Sequence, residues 1–325
     1  MIKIPTEILD ITKQYITIYL IGYLFYFIFD LITQNLRAIG NTKTPLKLVL
    51  IMTTINLILD PILIRIGLGV FGAGLSTAIS LILGTLVAII YVNKKSELLK
   101  IKFKNIKIQK ADIKDILKTA LPVVFQELFI ALVYFVELNL INQSGVIGIA
   151  GYGVSEKIAT IIYIIGTSLQ TLMVVAVGQF VGNNEIELTK EVLKNGLKLS
   201  IIPVLITIIV VWIFPREACR LFVSSNEAVD AAMKYISVIS IILILIPIRG
   251  IITGFILGTG HTKFVFFSMT CSGITEFVLL YLLRNSNIHI LTRTGIAVAS
   301  FWSVKMILEL IYYFSGKWKK KIICE

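Results

Sequence analysis

The chain is poor in charged residues and in the residue types on which most enzyme and metal chemistry depends. Asp, Glu, Lys and Arg make up 15% of its 325 residues, and it has two His, three Cys and seven Pro. The three cysteines, Cys219, Cys271 and Cys324, show neither a disulfide nor a metal-ligand spacing. Neither a Gly-rich phosphate loop before Lys-Ser/Thr nor a nucleophile elbow occurs. We therefore expect neither an enzyme nor an ATP-driven pump.

The chain is instead rich in apolar residues. Hydrophobic residues make up 57% of it and the mean hydropathy is +0.90, which is too apolar for a soluble protein of this length. A bilayer core of ~30 Å requires about 20 apolar residues per helix. We therefore predict an all-α polytopic membrane protein with nine transmembrane helices, near residues 16–32, 48–64, 74–92, 121–141, 158–181, 199–214, 236–257, 264–283 and 296–314.

Basic residues are distributed unevenly between the two sides that these helices define. The net charge is +12, and alternate inter-helix segments hold twenty Lys and Arg on one side against eight on the other. By the positive-inside rule, the richer side is cytoplasmic. We predict a multi-pass protein of the plasma (inner) membrane with a cytoplasmic C-terminus and its N-terminus outside. The positive charge thus indicates topology, and we expect no nucleic-acid partner.

One long polar segment divides the chain between the third and fourth predicted helices. It contains nine lysines from Lys94 to Lys118. We predict a three-helix N-terminal half-lobe at 1–93, a cytoplasmic basic linker at 94–118 and a six-helix lobe at 119–325. The linker pattern suits a short interfacial amphipathic piece, but a solvated linker that touches anionic membrane lipid is favoured.

Two parts of the chain repeat each other. Gly40-Asn41-Thr42-Lys43 recurs as Gly260-His261-Thr262-Lys263, 220 positions later. The third and ninth helices also open on related sequences, so the first three helices correspond to the last three. The middle three have no counterpart, which is typical of two six-helix halves with three helices missing before Met1. We predict an N-terminally truncated form of a twelve-helix, two-lobe protein.

Short motifs that extend over nearly the whole chain resemble the multidrug and toxic compound extrusion (MATE) family, whose superfamily includes oligosaccharide-lipid flippases. The resemblance implies a secondary active efflux transporter, an antiporter that exchanges sodium ions or protons for small organic cations such as drugs and dyes. We expect no cofactor beyond that coupling ion, and a monomer. The motifs are LRAIGNTKTP at 36–45, NLILDPILI at 56–64, GAGLSTA at 72–78, LP at 121–122, VGQFVGN at 177–183 and LGTG at 257–260.

The resemblance also implies an ion-coupling site, onto which Asn56, Asp60 and Thr77 map. Asn56 and Asp60 are four residues apart and share one helical face. Their oxygens suit a hard cation such as sodium, and a carboxylate within a membrane span is by default a functional candidate. The alternative is that Asp60 lies in water at the helix end, beside Pro61. The family's further Asp, on its first helix, has no counterpart here.

Six residues are candidates for a substrate cavity. Asp30 follows an aromatic run that could hold an organic cation by cation-π attraction. Glu127 and Glu137 point about 80° apart on one helix, at roughly 100° per residue, so they need not share a site. Arg249 is expected to pair with one of the buried acids, and Lys305 with Glu309. The six candidates are Asp30, Glu127, Glu137, Gln179, Arg249 and Glu276.

Two other functions remain open. A lipid-linked oligosaccharide or peptidoglycan-precursor flippase of the same superfamily would need a strongly cationic cavity, whereas the predicted helices hold several acids and few bases. The other alternative is a non-functional truncated product that does not transport. Gln179, next to Gly178, and Pro247 are also compatible with purely architectural roles, namely close packing and a local helix break.

Overall fold

The computed structural model describes residues 6–95, 100 and 110–319, and the chain forms two compact units, Met1–Ile108 and Gln109–Glu325. The first unit contains α1 (Thr6–Ala38), α2 (Lys43–Leu63) and α3 (Gly69–Lys95). The second contains α4 (Lys110–Ile141), α5 (Gly145–Gly182), α6 (Leu188–Ile208), α7 (Pro215–Arg220), α8 (Asn226–Gly258), α9 (Thr262–Leu283) and α10 (Ile290–Phe314).

The all-α membrane class is confirmed. Within the described residues, seven continuous helical segments are long and apolar enough to cross a membrane. Two of these, Lys43–Lys95 and Glu127–Gly182, are 53 and 56 residues long and contain internal breaks. One crossing needs about 20 residues, so each is long enough for two. All nine predicted apolar runs lie in helices, but the number of crossings stays a prediction.

The long helices begin earlier than their predicted apolar runs, and two of these early starts matter for the predicted boundaries. The helix α4 begins at Lys110, inside the segment predicted to be a linker, and α5 begins at Gly145 rather than near residue 158. The start of α5 includes Ser155, Glu156 and Lys157, whose polarity interrupts the apolar run without interrupting the helix. The rest of the predicted linker, with its amphipathic piece, is largely outside the described residues, so the domain boundaries stay predictions.

In the first unit, α3 packs against both α1 and α2. A Cβ on Gly22 would come within 2.6 Å of the Ala78 Cα, so α1 and α3 approach closely at this point. Further along the same pair of helices, the Thr85 hydroxyl donates to the Phe25 carbonyl oxygen at 2.9 Å. Met52 of α2 packs against Gly84. These contacts fix the relative heights of the three helices, which places the polar residues described below.

The turns after α1 and α8 have the same backbone structure. Both helices are 33 residues long and their boundaries differ by 220. Gly40 and Gly260 follow them with φ of 84° and 86°. In each turn the glycine N–H donates three residues back and the next N–H donates five residues back, which is a Schellman motif. The repeated sequence therefore encodes a repeated helix end.

In the second unit, α5 and α8 form the closest helix pair, and glycines make this possible. Gly151 and Gly166 of α5 face α8, and Gly250 and Gly254 of α8 face α5. Small residues at such positions let helix backbones approach within membranes. The helix α8 continues through Pro247, so the local break expected there is not present.

Replacing Gly250 with Ala is expected to destabilise the protein by about 1–3 kcal/mol, the usual cost of overpacking. The added Cβ would collide with the Gly166 carbonyl oxygen. The measurement is thermal unfolding of the purified chain in detergent. Gly153→Ala is the matched control, because its Cβ would have open space and Ala is the better helix former. Equal unfolding temperatures for the two variants would contradict the close crossing.

Candidate functional site

The three predicted ion-coupling residues lie together in the first unit. The Asn56 amide of α2 donates to the Thr77 hydroxyl of α3 at 3.4 Å and to the Ser76 hydroxyl at 3.5 Å. The Ser76 hydroxyl in turn donates to an Asp60 carboxylate oxygen. Ser76 is fully buried. We call Asn56, Asp60, Ser76 and Thr77 the α2–α3 polar cluster.

This cluster has the chemistry of a site for a small cation. A carboxylate, an amide and two hydroxyls are oxygen-bearing groups of the kind that hard cations prefer. The Thr77 and Ser76 hydroxyls also contact the Ala73 carbonyl oxygen at 2.9 Å, which holds them on the side facing α2. Elsewhere, within the described residues, no group of three or more His, Cys, Asp or Glu could hold a metal ion.

Asp30 lies apart from this cluster. Thr85 is nine residues beyond Ser76, or about 13 Å along α3. At that height Thr85 bonds to Phe25 of α1. Asp30 follows Phe25 on α1, so it lies still further from the cluster. Its carboxylate accepts from Gln34 at 3.4 Å on its own helix. The neighbouring aromatic residues form a ladder along one face of α1, with ring centroids 5.5–6.1 Å apart, made of Tyr15, Tyr19, Tyr23, Tyr26 and Phe29.

The second unit encloses a cavity of about 610 Å³. This is the size range of pockets that hold drug-sized ligands. Its walls come from α4, α5, α8, α9 and α10. Its charged lining residues are Glu127, Glu137, Glu156, Glu276, Arg249 and Lys305, and its aromatic ones are Tyr134, Tyr152, Tyr163, Tyr235, Phe301 and Trp302.

Four of the predicted cavity residues therefore share this one cavity: Glu127, Glu137, Arg249 and Glu276. Glu127 and Glu137 need not have shared a site, but an 80° separation still falls within one helix face about 100° wide. Gln179 is exposed near the end of α5 and does not line this cavity. A different glutamine of the same helix, Gln170, lines it instead. Asp30 belongs to the first unit.

Glu137 is the most enclosed of the cavity acids. Only 5% of it is exposed, and its Oε1 accepts from the hydroxyls of Tyr152 at 3.1 Å and Tyr235 at 3.2 Å. The two tyrosine rings pack edge to face with centroids 5.2 Å apart. Glu276 of α9 and Glu156 of α5 are within electrostatic reach of Glu137. These carboxylates make an acidic region beside aromatic rings.

The expected ion pair between Arg249 and one of these acids is not formed. Its guanidinium lies over the Trp302 ring, 3.9 Å from the centroid. Among the described residues, the salt bridges within 4.0 Å join other side chains. The sequence places Arg249 in the same set of helices as the acids, but it cannot show that an aromatic face from α10 takes the place of a carboxylate.

The predicted pair of Lys305 and Glu309 is confirmed and is part of a larger network. The Lys305 ammonium bonds to one Glu309 oxygen. The other oxygen accepts from the Thr253 hydroxyl at 2.6 Å, and the Ser268 hydroxyl contacts the first at 3.4 Å. Both charged groups are buried, at 2% and 0% exposure. The network thus joins α8, α9 and α10 beside the cavity.

Sequence analysis does not single out two polar residues of these sites, Ser76 and Glu156, nor the aromatic residues that line the cavity. Ser76 is adjacent to Thr77, so a pair of hydroxyl residues in an apolar run was the available signal. Glu156 precedes the apolar run at 158–181 that predicts the fifth helix. Its signal was the spacing of Tyr152, Glu156 and Tyr163, which places all three on one face of a helix.

Comparison with known proteins gives two family-model matches. Residues 122–282 match the MatE model, and residues 5–111 match the model named lipid II flippase MurJ. The chain is 26% identical over 330 residues to the probable multidrug resistance protein YoeA of Bacillus subtilis, which covers 98% of the chain and 71% of YoeA. It is 28% identical over 286 residues to the multidrug export protein MepA of Staphylococcus haemolyticus, covering 86% of the chain and 62% of MepA.

The fold is also found among solved structures. A crystal structure of a MATE protein in complex with MaL6 superimposes with a TM-score of 0.83 at 17% identity, covering 98% of this chain and 72% of the other. The expectation of three further helices before Met1 stays a prediction. Sequence relatives, the MatE model and the shared helical fold agree with one another, and the chain belongs to the MATE family of transporters.

Proposed function

We propose that the chain is a multidrug efflux transporter that exchanges sodium ions or protons for small organic cations. The observation that carries this proposal is the cavity of the second unit, where four glutamates and six aromatic side chains surround about 610 Å³. Carboxylates and aromatic faces both attract organic cations. Relatives named as multidrug resistance and multidrug export proteins support the same activity.

The coupling ion is proposed to bind at the α2–α3 polar cluster. Asp60 supplies the charge, and the Asn56, Ser76 and Thr77 side chains supply the neutral groups around it. Exchange requires that ion and drug favour different states of the transporter, because a ligand shifts a conformational equilibrium only through unequal affinity for its states. No ATPase sequence is present, so an ion gradient is the proposed energy source.

Binding of a cationic dye tests the cavity. We expect ethidium to bind the purified chain, and Glu137→Gln and Glu276→Gln each to weaken binding by about tenfold, since a contact to a charged group contributes about 1.5–3 kcal/mol. Fluorescence titration in detergent gives the Kd. Glu191→Gln is the control, because Glu191 is an exposed acid on α6 outside the cavity. Equal affinities in all four proteins would refute the cation cavity.

A second candidate function is the flipping of an anionic lipid-linked precursor, which the MurJ match over residues 5–111 favours. Such a substrate carries pyrophosphate and needs basic side chains. Among the charged residues that line the cavity, acids outnumber bases by four to two, and Lys305 already bonds to Glu309. Competition between ethidium and an undecaprenyl pyrophosphate lipid separates the two: stronger binding of the lipid would favour the flippase.

A further inference from the structure

Arg249 is a buried cation whose hydrogen-bond donors are not all satisfied. It is 8% exposed, lines the cavity, and its Nε–H has no hydrogen-bond partner. Its guanidinium stacks on Trp302, which fixes the plane of the group but does not supply an acceptor. A charged side chain inside a membrane span is costly unless it is paired or used. Because Arg249 also faces the cavity, its guanidinium has hydrogen-bonding capacity left for a bound molecule.

Among the described residues of the second unit, the other two buried basic side chains, Lys305 and Arg293, have partners within the chain. Lys305 bonds to Glu309 and Thr253. Arg293 is equally buried, at 8% exposure, and its Nε–H also has no partner, but its Nη1 donates to the carbonyl oxygens of Leu283, at 3.2 Å, and Arg284, at the end of α9. Arg293 therefore caps a helix. Arg249 is the buried base that faces the cavity with neither a carboxylate nor a helix end as partner.

Two acids of the cavity, Glu156 and Glu137, are held away from Arg249. Tyr163 packs on the same Trp302, with ring centroids 5.6 Å apart, and so marks the height of Arg249 on α5. Glu156 is seven residues earlier, about 10 Å along the helix, and Tyr152, which holds Glu137, is eleven residues earlier, about 16 Å. An ion pair requires about 4 Å. The cavity thus keeps a positive group and negative groups separate.

We propose that Arg249 binds an acidic group, a carboxylate, of the transported molecule, and that the cavity selects aromatic zwitterions. The guanidinium fork bonds a carboxylate with two parallel hydrogen bonds, while the aromatic body packs on the rings and the cationic end faces the glutamates. This inference rests on the proposed function and narrows its substrate class. It assigns to the bound molecule the partner that Arg249 does not find in the described chain.

The test compares two dyes that differ only in the acid. Rhodamine B carries both a cationic xanthene and a free carboxylate, and rhodamine B ethyl ester retains only the cation. Fluorescence polarisation on the full chain gives the Kd of each dye. We expect Arg249→Gln to raise the Kd of rhodamine B by about ten- to a hundredfold and to leave the ester within about twofold, because only the acid loses a charge-assisted contact.

Arg293→Gln is the matched control, since it removes the same charge at the same burial outside the cavity. We expect it to leave the ratio of the two Kd values unchanged. The ratio is internal to each protein, so partial loss of fold does not imitate the effect. Equal effects of Arg249→Gln on both dyes would overturn this inference alone. If the wild-type chain bound neither dye, both this inference and the proposed export of organic cations would be refuted.

Discussion

Replacing Asp60 with Asn is expected to reduce ion-driven export to the background level. The substitution removes the charge of the α2–α3 polar cluster while nearly preserving its shape and its bond from Ser76. Each contact between a cation and a charged ligand contributes about 1.5–3 kcal/mol, so export should fall about ten- to a hundredfold. The measurement is ethidium transport in proteoliposomes under an imposed sodium or proton gradient.

Two further variants make this result specific. Ser76→Ala removes one hydroxyl but keeps the carboxylate, so we expect a smaller, severalfold loss. Asp230→Asn removes an acid that pairs with Arg216 at the exposed surface, and surface pairs contribute little, so transport should stay at the wild-type level. Export by Asp60→Asn that equals wild type at every pH and sodium concentration would disprove the coupling role.

Replacing Lys305 with Met is expected to destabilise the protein by about 3–5 kcal/mol, because it leaves Glu309 buried without its cation. Glu309 is 0% exposed and has no access to water that could take over from Lys305. Thr253 and Ser268 would still donate to it, but neutral donors do not balance the charge. Thermal unfolding of the purified chain in detergent measures the loss as a lower Tm.

The chain provides its own comparison for this effect. Lys190 and Glu187 form an exposed pair three residues apart, with the two side chains 42% and 76% exposed. Removing Lys190 should leave the Tm unchanged, because water screens such pairs. The double variant Lys305→Met with Glu309→Leu should recover most of the stability, since it removes both buried charges. A Tm for Lys305→Met equal to that of Lys190→Ala would contradict this account.

Much of the helical architecture could be predicted because apolar length alone specifies it. The nine apolar runs all lie in helices, and the repeated sequence around Gly40 and Gly260 appears as two equal helix ends. Hydropathy did not predict the residues at which the helices begin. The polar residues around Glu156 interrupt the apolar run of α5, but they do not end the helix, because Glu156 faces a cavity rather than lipid.

The site was predictable only as far as single helices allow. Spacing four residues apart predicts that Asn56 and Asp60 share a helix face, from which both contact Ser76, and that Lys305 pairs with Glu309. Contacts between helices could not be predicted from the sequence. Nothing in the sequence of one helix specifies that Ser76 contacts Asp60 or that Trp302 contacts Arg249. Such pairs depend on helix rotation and height, which close glycine crossings set.

The equivalent turns at Gly40 and Gly260 allow one helix end to serve as the control for mutations in the other. Because both helix ends use the same bonds and nearly the same φ, segment 36–45 could be exchanged for 256–265 without imposing a new backbone geometry. A hybrid chain of this kind would separate what a segment contributes by its conformation from what it contributes by its side chains. Retention of the fold by such a hybrid would show that the two helix ends are interchangeable in backbone structure.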